Sequence, residues 1–215
     1  MTKAKTLVQS DFDGTITEED ISFMILDEFA QGDWRKLLNQ YRQGKITVGE
    51  FNRGTFLMVK ESRTKLVDYA KEKGKLRPGF KKLVNYCRGR NFRFVITSNG
   101  LDFYIEALLN REGLSDIEFH AASTSFDNGT LSASYIGPDG KELLKGFKQS
   151  FTAKYIEEGY RIIYIGNGPS DVAPAKLAYR AFATGPMIEK CLKQGTNYTP
   201  FTELEDIIKE LKKID

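Results

Sequence analysis

Two aspartates separated by one residue follow the first hydrophobic segment of the chain, and they are the side chains best suited to chemistry. The segment 5–10 is a short β-favouring run that ends at the sequence DFDGT, residues 11–15. Two carboxylates at this spacing, followed by a glycine, suit a hard cation such as Mg²⁺, because Mg²⁺ takes oxygen ligands and keeps several of its waters. Asp11 and Asp13 are therefore the first candidates for a metal site.

Polar side chains also end two later β-favouring segments. Residues 92–96 are followed by Ser98, and residues 161–165 are followed by Asn167 and Asp171. Ligands of an open α/β sheet bind beyond the carboxyl ends of its strands, so we expect these side chains to meet the two N-terminal aspartates. The Gly166-Asn167-Gly168 turn would bring main chain and a side-chain oxygen close to the same place as Asp11 and Asp13.

The elements that position these residues alternate between strand and helix patterns. Each β-favouring segment is short, rich in β-branched or aromatic residues, and followed by a helical pattern, which predicts βα units on a parallel sheet. The sequence Asp127-Asn128-Gly129 predicts a hairpin turn, so we expect one part of the sheet to be antiparallel. The predicted fold class is α/β, with a Rossmann-like, mostly parallel sheet flanked by helices.

Residues 17–77 interrupt this alternation, because they contain helical patterns and no convincing strand. A simple βαβ unit needs only about thirty residues in all, and this insertion alone is about twice that length. We therefore predict a small, inserted α-helical cap domain at residues 17–77 and an α/β core domain made of residues 1–16 and 78–215. A cap over the strand ends would exclude water from the site and supply substrate specificity.

Composition and charge exclude several other functions. The 215 residues are 40% hydrophobic and 28% charged with a net charge of +3, which is a globular composition that demands no polyanionic partner. A single histidine, His120, excludes multi-histidine metal sites, and two cysteines without metal-ligand spacing indicate a reduced, cytoplasmic setting. No apolar run approaches the roughly 18 residues of a membrane span, and no signal peptide is evident, so we expect no membrane partner.

A basic stretch between residues 71 and 93 carries nine Lys or Arg residues, with Glu72 as its only acid. Such a stretch could steer anionic substrates to a cleft or contact nucleic acid. It contains no known nucleic-acid-binding motif. A solvated helix face is therefore favoured, and a nucleic-acid partner is disfavoured.

Together these motifs resemble the four signatures of the haloacid dehalogenase-like phosphatases. DFDGT at residues 11–15 resembles the first, Ser98 after a hydrophobic strand the second, and Lys148, nineteen residues before Asn167, the third. The sequence GNGPSD at residues 166–171 resembles the fourth, which is usually GDxxxD. The helical insertion between the first two signatures is similar to the subgroup that includes the phosphoserine phosphatases.

The resemblance implies a role for each matching residue. Asp11 would attack phosphorus and form an aspartyl-phosphate, and Asp13 would protonate the leaving alkoxide and later activate water. Ser98 and Lys148 would bind the phosphoryl group, and Lys148 would also pair with Asp11. Mg²⁺ would be the cofactor, because a phosphate dianion repels an anionic nucleophile until its charge is neutralised. Its ligands would be Asp11 and Asp13, with Asn167 and, behind it, Asp171 completing the metal shell.

Two positions depart from the usual pattern of this family. Asn167 replaces the usual aspartate, which removes one negative charge and predicts weaker Mg²⁺ binding. Asn99 replaces the usual glycine beside the expected phosphate site and is a candidate substrate contact. Two further candidates for substrate contacts lie in the cap: Asp20, at a position where phosphoserine phosphatases carry an acidic residue for the substrate amine, and Arg53.

The predicted function is Mg²⁺-dependent hydrolysis of a small phosphorylated metabolite through an aspartyl-phosphate. The sequence SNGLDF at residues 98–103 and the short spacing from Lys148 to Asn167 are similar to the methionine-salvage 2-hydroxy-3-keto-5-methylthiopentenyl-1-phosphate phosphatases. The expected substrate is therefore phosphoserine or a methionine-salvage phosphate ester. One alternative is a small-molecule phosphotransferase on the same site, and another is a non-catalytic protein that binds a phosphate ligand or nucleic acid. The sequence leaves the oligomeric state open.

Overall fold

A computed structural model of the chain describes residues 5–127 and 129–213. The strands of its central sheet are, in chain order, β1 (Lys5–Ser10), β2 (Arg93–Leu101), β3 (Glu118–Asp127), β4 (Thr130–Ser134), β5 (Tyr160–Gly166), β6 (Arg180–Ala183) and β7 (Thr199–Pro200). Their spatial order is β4-β3-β2-β1-β5-β6-β7. Neighbouring strands are parallel except β3 and β4, which are antiparallel. The predicted mostly parallel sheet is thus confirmed; Asn128 of the predicted hairpin turn lies outside the described residues.

The chain between β1 and β2 is helical. Its helices are α1 (Ile21–Phe29), α2 (Trp34–Arg42), α3 (Val48–Phe56) and α4 (Arg63–Lys73). Each begins after a polar residue whose side chain accepts a hydrogen bond from the first turn, which satisfies a main-chain donor that the helix itself leaves unpaired: Asp20, Asp33, Thr47 and Ser62. The division into two domains at residues 16 and 77 stays a prediction.

The remaining helices follow the strands and flank the sheet. They are α5 (Phe80–Gly89), α6 (Asp102–Arg111), α7 (Phe147–Glu157), α8 (Val172–Leu177), α9 (Pro186–Gln194) and α10 (Leu204–Leu211), with a 3₁₀ turn at Pro169–Asp171. Helices α5 and α10 pack against each other, as do α7 and α8, while α6 packs against α4 of the insertion. Helix α6 is therefore the helix of the α/β part against which α4 of the insertion packs.

The central strand β1 brings the DFDGT motif to the middle of the sheet. It is buried from Thr6 to Ser10, as expected for a parallel strand covered on both faces. Ser10 pairs with Ile96 of β2 on one side and with Ile165 of β5 on the other, so the residues that follow these three positions lie side by side. The chain first fills the β2–β4 side and then crosses to β5, which places a topological switch point, the usual ligand site, at the end of β1.

Strand β2 extends further than the sequence predicts. The prediction ends it at residue 96, before Ser98, whereas the strand continues to Leu101. Its register against β3 shifts between Thr97 and Leu101, so the intervening residues form an irregular strand end. Such irregularities re-aim side chains, and this one contains Ser98 and Asn99.

Candidate active site

The first aspartate lies at the start of a tight turn that continues from β1. The main-chain N–H of Asp11 donates to a β5 carbonyl at 2.9 Å, and the carbonyl of Phe12 accepts the N–H groups of residues 15–17. Gly14 within this turn has φ +69°, and a Cβ atom there would lie 2.2 Å from Nδ2 of Asn167. The glycine is therefore needed both for its backbone conformation and for the close approach of Asn167.

Arg77 holds the same turn from the far end of the insertion. Its guanidinium donates to the main-chain oxygens of Gly14 and Thr15, each at 2.9 Å, and to that of Thr202 at 3.2 Å. A guanidinium offers five donors in a rigid fork, so one side chain can fix several carbonyls. In the sequence Arg77 is one cation of the basic stretch, and nothing there distinguishes it from its neighbours.

A buried ion cluster lies beneath the turn. Nζ of Lys148, in the first turn of α7, lies 2.7 Å from Oδ1 of Asp11 and 2.7 Å from Oδ1 of Asp171. Burial alone would lower the pKa of Lys148, but the two carboxylates outweigh it and raise the pKa. Burial, helped by the charge of Asp171 and opposed by Lys148, raises the pKa of Asp11 to about 7.

Asp171 is fully occupied by protein donors. Its Oδ1 accepts from Lys148 and, at 2.7 Å, from the hydroxyl of Tyr164. Its Oδ2 accepts the main-chain N–H groups of Asn167 at 3.1 Å and Gly168 at 2.8 Å. The carboxylate thus shapes the turn that carries Asn167 and orients Lys148 from behind.

The second aspartate is held at both of its oxygens. Oδ1 of Asp13 accepts the N–H of Ile21, in the first turn of α1, at 3.0 Å. Oδ2 accepts a hydrogen bond from the phenol of Tyr104, on α6. Burial and the neighbouring charge of Asp20 raise the pKa of Asp13 well above its usual range, and the Tyr104 hydrogen bond opposes this shift. A carboxyl group with a raised pKa is suited to general acid–base chemistry.

The irregular end of β2 forms the opposite wall of the site. Oγ of Ser98, which is buried, accepts the N–H of Gly100 at 3.0 Å. The carbonyl of Asn99 accepts hydrogen bonds from Nδ2 of Asn52, on α3, and from the phenol of Tyr135. Helix α3 of the insertion is thereby bonded directly to the segment that carries Ser98.

These groups surround one cavity of about 550 Å³. Most of the predicted site residues line it: Asp11, Asp13, Asp20, Ser98, Asn99, Lys148 and Asn167. At the end formed by the insertion, apolar or aromatic side chains from α1, α2 and α3 line the cavity: Phe23, Leu38, Tyr41, Val48 and Phe51. Polar and charged residues of the insertion line it as well: Glu18, Asp20, Ser22, Arg42 and Asn52. The cavity therefore has a charged floor at the strand ends and, at the insertion end, an apolar roof made of those five side chains beside charged groups.

Two predicted site residues do not line this cavity. Asp171 lies behind Lys148, as described above, with its side chain fully buried. Arg53 forms an ion pair with Glu142 and borders a separate groove next to β4. Asp20 does line the cavity, but one of its oxygens is used to cap α1 through the N–H of Phe23 at 2.9 Å.

The oxygen atoms at the cavity floor fit a hard cation. Oδ1 of Asp11 accepts from Lys148 and from the N–H of Phe12, whereas no described residue donates to its Oδ2. Among the described residues, no group of three or more His, Cys, Asp or Glu side chains could hold a metal ion. Asp11, Asp13 and Asn167 could instead supply a mixed set of carboxylate, main-chain and amide oxygens. Mg²⁺ accepts such a set, because it needs few protein ligands and retains waters.

The basic stretch is largely neutralised by acids from other parts of the chain. Lys81 pairs with Glu112, Lys82 with Glu205, Arg88 with Asp116, and Arg93 with Glu118. Arg77 is bound to carbonyls, as described above. These ion pairs leave less free positive charge on the stretch than its sequence suggests, and its assignment as a solvated helix face stays a prediction. Within the described ranges, no helix has the length and apolarity needed to cross a membrane.

Comparisons with known proteins give consistent results. The sequence model of the family described as haloacid dehalogenase-like hydrolase matches residues 8–176. The 2-hydroxy-3-keto-5-methylthiopentenyl-1-phosphate phosphatase of Geobacillus kaustophilus is 30% identical over 221 residues, which cover 100% of this chain and 99% of that protein. The phosphatase of the same name from Brevibacillus brevis is 28% identical over 214 residues, covering 98% of this chain and 96% of that protein.

Solved structures share the fold at lower sequence identity. A phosphoserine phosphatase described as a phospho-aspartyl intermediate analogue superposes with a TM-score of 0.73 at 20% identity, covering 97% of this chain and 99% of that one. The phosphoserine phosphatase of T. onnurineus, in complex with NDSB-201, superposes with a TM-score of 0.70 at 18% identity, covering 97% and 95%. These structures have the same arrangement of sheet and helices along almost the whole chain.

Proposed function

This chain belongs to the haloacid dehalogenase-like hydrolase family, and we propose from this premise that it is a phosphatase that hydrolyses a small phosphorylated metabolite through an aspartyl-phosphate on Asp11. The observation that carries the proposal is the arrangement of Asp11 at the cavity floor. Its Oδ1 is held by Lys148 and by the N–H of Phe12, each at 2.7 Å, while its Oδ2 is left without a donor among the described residues. The carboxylate is therefore held in one orientation, while the part of it without such a donor stays open to phosphorus and to a cation.

In the proposed first step, a carboxylate oxygen of Asp11 forms a bond to phosphorus as the bond from phosphorus to the leaving oxygen breaks. Asp13 gives its proton to that oxygen, so the alcohol leaves neutral. In the second step Asp13, now ionised, takes a proton from water, whose oxygen attacks phosphorus and releases phosphate and the Asp11 carboxylate. Ser98 donates to a phosphoryl oxygen, and Lys148 provides positive charge beside it.

Mg²⁺ is the proposed cofactor, held by Asp11, Asp13 and Asn167, with Asp171 fixing the Asn167 turn from behind. Each side-chain oxygen of Asp13 accepts one hydrogen bond, from Ile21 or from Tyr104, and the carboxyl group is assigned to proton transfer, so its main-chain oxygen is the one proposed for the cation. When bound, Mg²⁺ neutralises phosphoryl charge and so permits attack by an anionic carboxylate. In the same proposal, residues 17–77 form the cap that encloses the substrate.

The apolar roof of the cavity supports a methionine-salvage ester over phosphoserine as the substrate. An ester with a methylthio end buries apolar surface against Phe23, Leu38 and Phe51, which stabilises binding. The ammonium and carboxylate of phosphoserine would lose water against these apolar side chains, at a desolvation cost that only the charged groups of Glu18, Asp20 and Arg42 could offset. The proposed substrate is accordingly the methylthiopentenyl phosphate that names the curated relatives.

The test is hydrolysis of p-nitrophenyl phosphate in the presence and absence of Mg²⁺, by the wild type and by Asp11→Asn. We expect Mg²⁺-dependent turnover, loss of at least about a thousandfold in kcat/KM in the variant, and a phosphorylated protein detected by mass spectrometry only with Asp11 intact. Asp116→Asn, at an exposed position paired with Arg88, is the matched control and keeps wild-type activity. Equal rates in the wild type and Asp11→Asn would overturn the proposal. Higher kcat/KM for phosphoserine than for the methylthiopentenyl ester would overturn only the choice of substrate.

A further inference from the structure

Tyr104 contacts the proposed acid–base residue from outside the four family motifs. It lies in the first turn of α6, and its side chain is fully buried. Its phenol donates to Oδ2 of Asp13, and its oxygen lies 2.8 Å from Oγ of Ser22, on α1. The phenol has one hydrogen, which it uses in the hydrogen bond to the carboxylate. The Ser22 hydroxyl must therefore be the donor in its hydrogen bond with the phenol oxygen. The hydrogen bonds therefore run in one direction, from Ser22 through Tyr104 to Asp13.

The surrounding residues leave space for this contact and for little else. A Cβ atom on Gly100 would lie 1.9 Å from the Tyr104 hydroxyl and 2.2 Å from Oδ2 of Asp13. The ring of Tyr104 is fixed by Phe103, whose ring centre is 5.5 Å away at an interplanar angle of 84°. The phenol is therefore a rigid donor aimed at one carboxylate oxygen, while the N–H of Ile21 fixes the other.

We propose that Tyr104 is a positioning residue for proton transfer to the leaving group, and that the rate with poorly leaving alcohols depends on its hydroxyl. This inference rests on the proposed function, because it assigns Asp13 as the general acid. Two donors, one on each oxygen, fix the plane of the Asp13 carboxyl group. Without the phenol the group is held at Oδ1 alone and rotates about its terminal bond. Efficient general acid catalysis requires a fixed orientation toward the leaving oxygen.

A series of aryl phosphates isolates this effect, because its members share a shape that suits the apolar roof and differ in how readily the phenol leaves. p-Nitrophenol departs readily without a proton, whereas p-methylphenol needs one. In Tyr104→Phe we expect kcat/KM to fall less than about threefold for p-nitrophenyl phosphate and about thirtyfold or more for p-methylphenyl phosphate, since general acid catalysis contributes about a hundredfold or more when it is needed. The ratio kcat/KM includes the departure of the leaving group and excludes later hydrolysis of the aspartyl-phosphate.

Two further variants separate positioning from stability. Tyr155→Phe removes another buried phenol, one that bonds His120 at 2.8 Å and Glu118 at 3.2 Å away from the cavity, and should lower all members of the series by the same small factor. Ser22→Ala keeps the Tyr104 phenol but removes the group behind it. It should show the same trend with leaving group as Tyr104→Phe, at smaller amplitude. Thermal unfolding of each variant identifies any change due to loss of folded protein.

The inference is overturned if Tyr104→Phe lowers kcat/KM equally across the series, or leaves it unchanged. If Tyr104→Phe does not fold, Ser22→Ala decides instead: an effect on kcat/KM that is the same for every leaving group also overturns the inference. Failure of the proposed function has a different signature, since Asp11→Asn would then retain the activity of the wild type. A flat series in Tyr104→Phe together with an inactive Asp11→Asn removes the role of Tyr104 and leaves the phosphatase proposal intact.

Discussion

The substitution Gly100→Ala tests whether the contact between Tyr104 and Asp13 governs both activity and packing. The new methyl group would lie 1.9 Å from the phenol oxygen, 2.2 Å from Oδ2 of Asp13 and 2.9 Å from Cζ of Tyr104, whereas ordinary contact begins near 3.4 Å. The phenol oxygen must therefore move by about 1.5 Å and the carboxylate by about 1.2 Å, as the difference between these distances requires. Both side chains are buried, and the open space beside them is the cavity that Asp13 lines, so the carboxylate can move there only by giving up its contact with the phenol.

The expected magnitudes follow from these displacements. Overpacking in a buried region costs about 1–3 kcal/mol, which predicts a loss of this size in the free energy of unfolding, measured with urea. A displacement of about 1 Å at a reacting group costs about a hundredfold in rate, so kcat/KM for p-methylphenyl phosphate should fall by at least that factor. Activity should fall further than the loss of folded protein explains, because the displaced group is the proposed acid itself.

Gly89→Ala is the matched control. Gly89 ends α5, and a Cβ atom there would meet no atom within 4 Å. Alanine favours helix over glycine by up to about 1 kcal/mol, so this variant should be as stable as the wild type or more stable, with unchanged kinetics. A Gly100→Ala protein with wild-type kcat/KM and wild-type stability would refute the reasoning, because the described approach of the phenol and the carboxylate leaves no room for the methyl group.

Two other predictions concern charge. Asn167→Asp should lower the Mg²⁺ dissociation constant about tenfold, because a carboxylate adds a negative charge beside the cation, and titration calorimetry measures this change. The same variant should have a lower melting temperature without Mg²⁺ in thermal unfolding. An unchanged Mg²⁺ affinity would count against Asn167 as a ligand. The hydrogen bond with His120, together with Arg93, lowers the pKa of Glu118 to about 2 from its ordinary 4.5, so its stabilising contribution is full above pH 4.5 and is lost as the pH falls toward 2. Because Glu118 is partly exposed, Glu118→Gln should reduce the free energy of unfolding at pH 7 by only about 1 kcal/mol. Urea unfolding at several pH values should show the difference in stability between the wild type and the variant becoming smaller at acid pH. A difference that stays constant down to pH 2 would contradict the lowered pKa of Glu118.

The sequence locates the centre of the site because of how an α/β sheet is built. A β-favouring run that ends in Asp, Ser or Asn marks the carboxyl end of a strand, and parallel strands bring those ends together. Asp11, Ser98 and Asn167 could therefore be grouped from the sequence, although β2 continues past Ser98 to Leu101. The sheet and the helical insertion can also be predicted, because the spacing of hydrophobic residues along the chain distinguishes strands from helices.

The roles of other residues depend on partners distant in the sequence, which periodicity does not encode. Tyr104 is an ordinary aromatic residue of an apolar helix until the fold places its phenol against Asp13, 91 residues earlier. Arg53 has no signal that separates a substrate contact from its ion pair with Glu142, 89 residues later. Arg77 also cannot be told apart from the other cations of the basic stretch, because two of the carbonyls that it bonds lie more than sixty residues earlier. Long-range hydrogen bonds decide such cases, so they need the structure.

The balance of buried charge links Asn167 to the proposed cation. Lys148 is shared between Asp11 and Asp171, so the floor of the cavity holds more negative than positive charge even before a phosphate dianion enters. Unpaired buried charge is costly, and here burial and Asp171 raise the pKa of Asp11 to about 7. An aspartate at position 167 would increase the excess of negative charge in the protein without a cation, and it would strengthen the binding of a divalent ion. Asparagine reduces both effects, so the predicted gain in Mg²⁺ affinity of Asn167→Asp and its predicted loss of stability without Mg²⁺ have one electrostatic cause and should appear together.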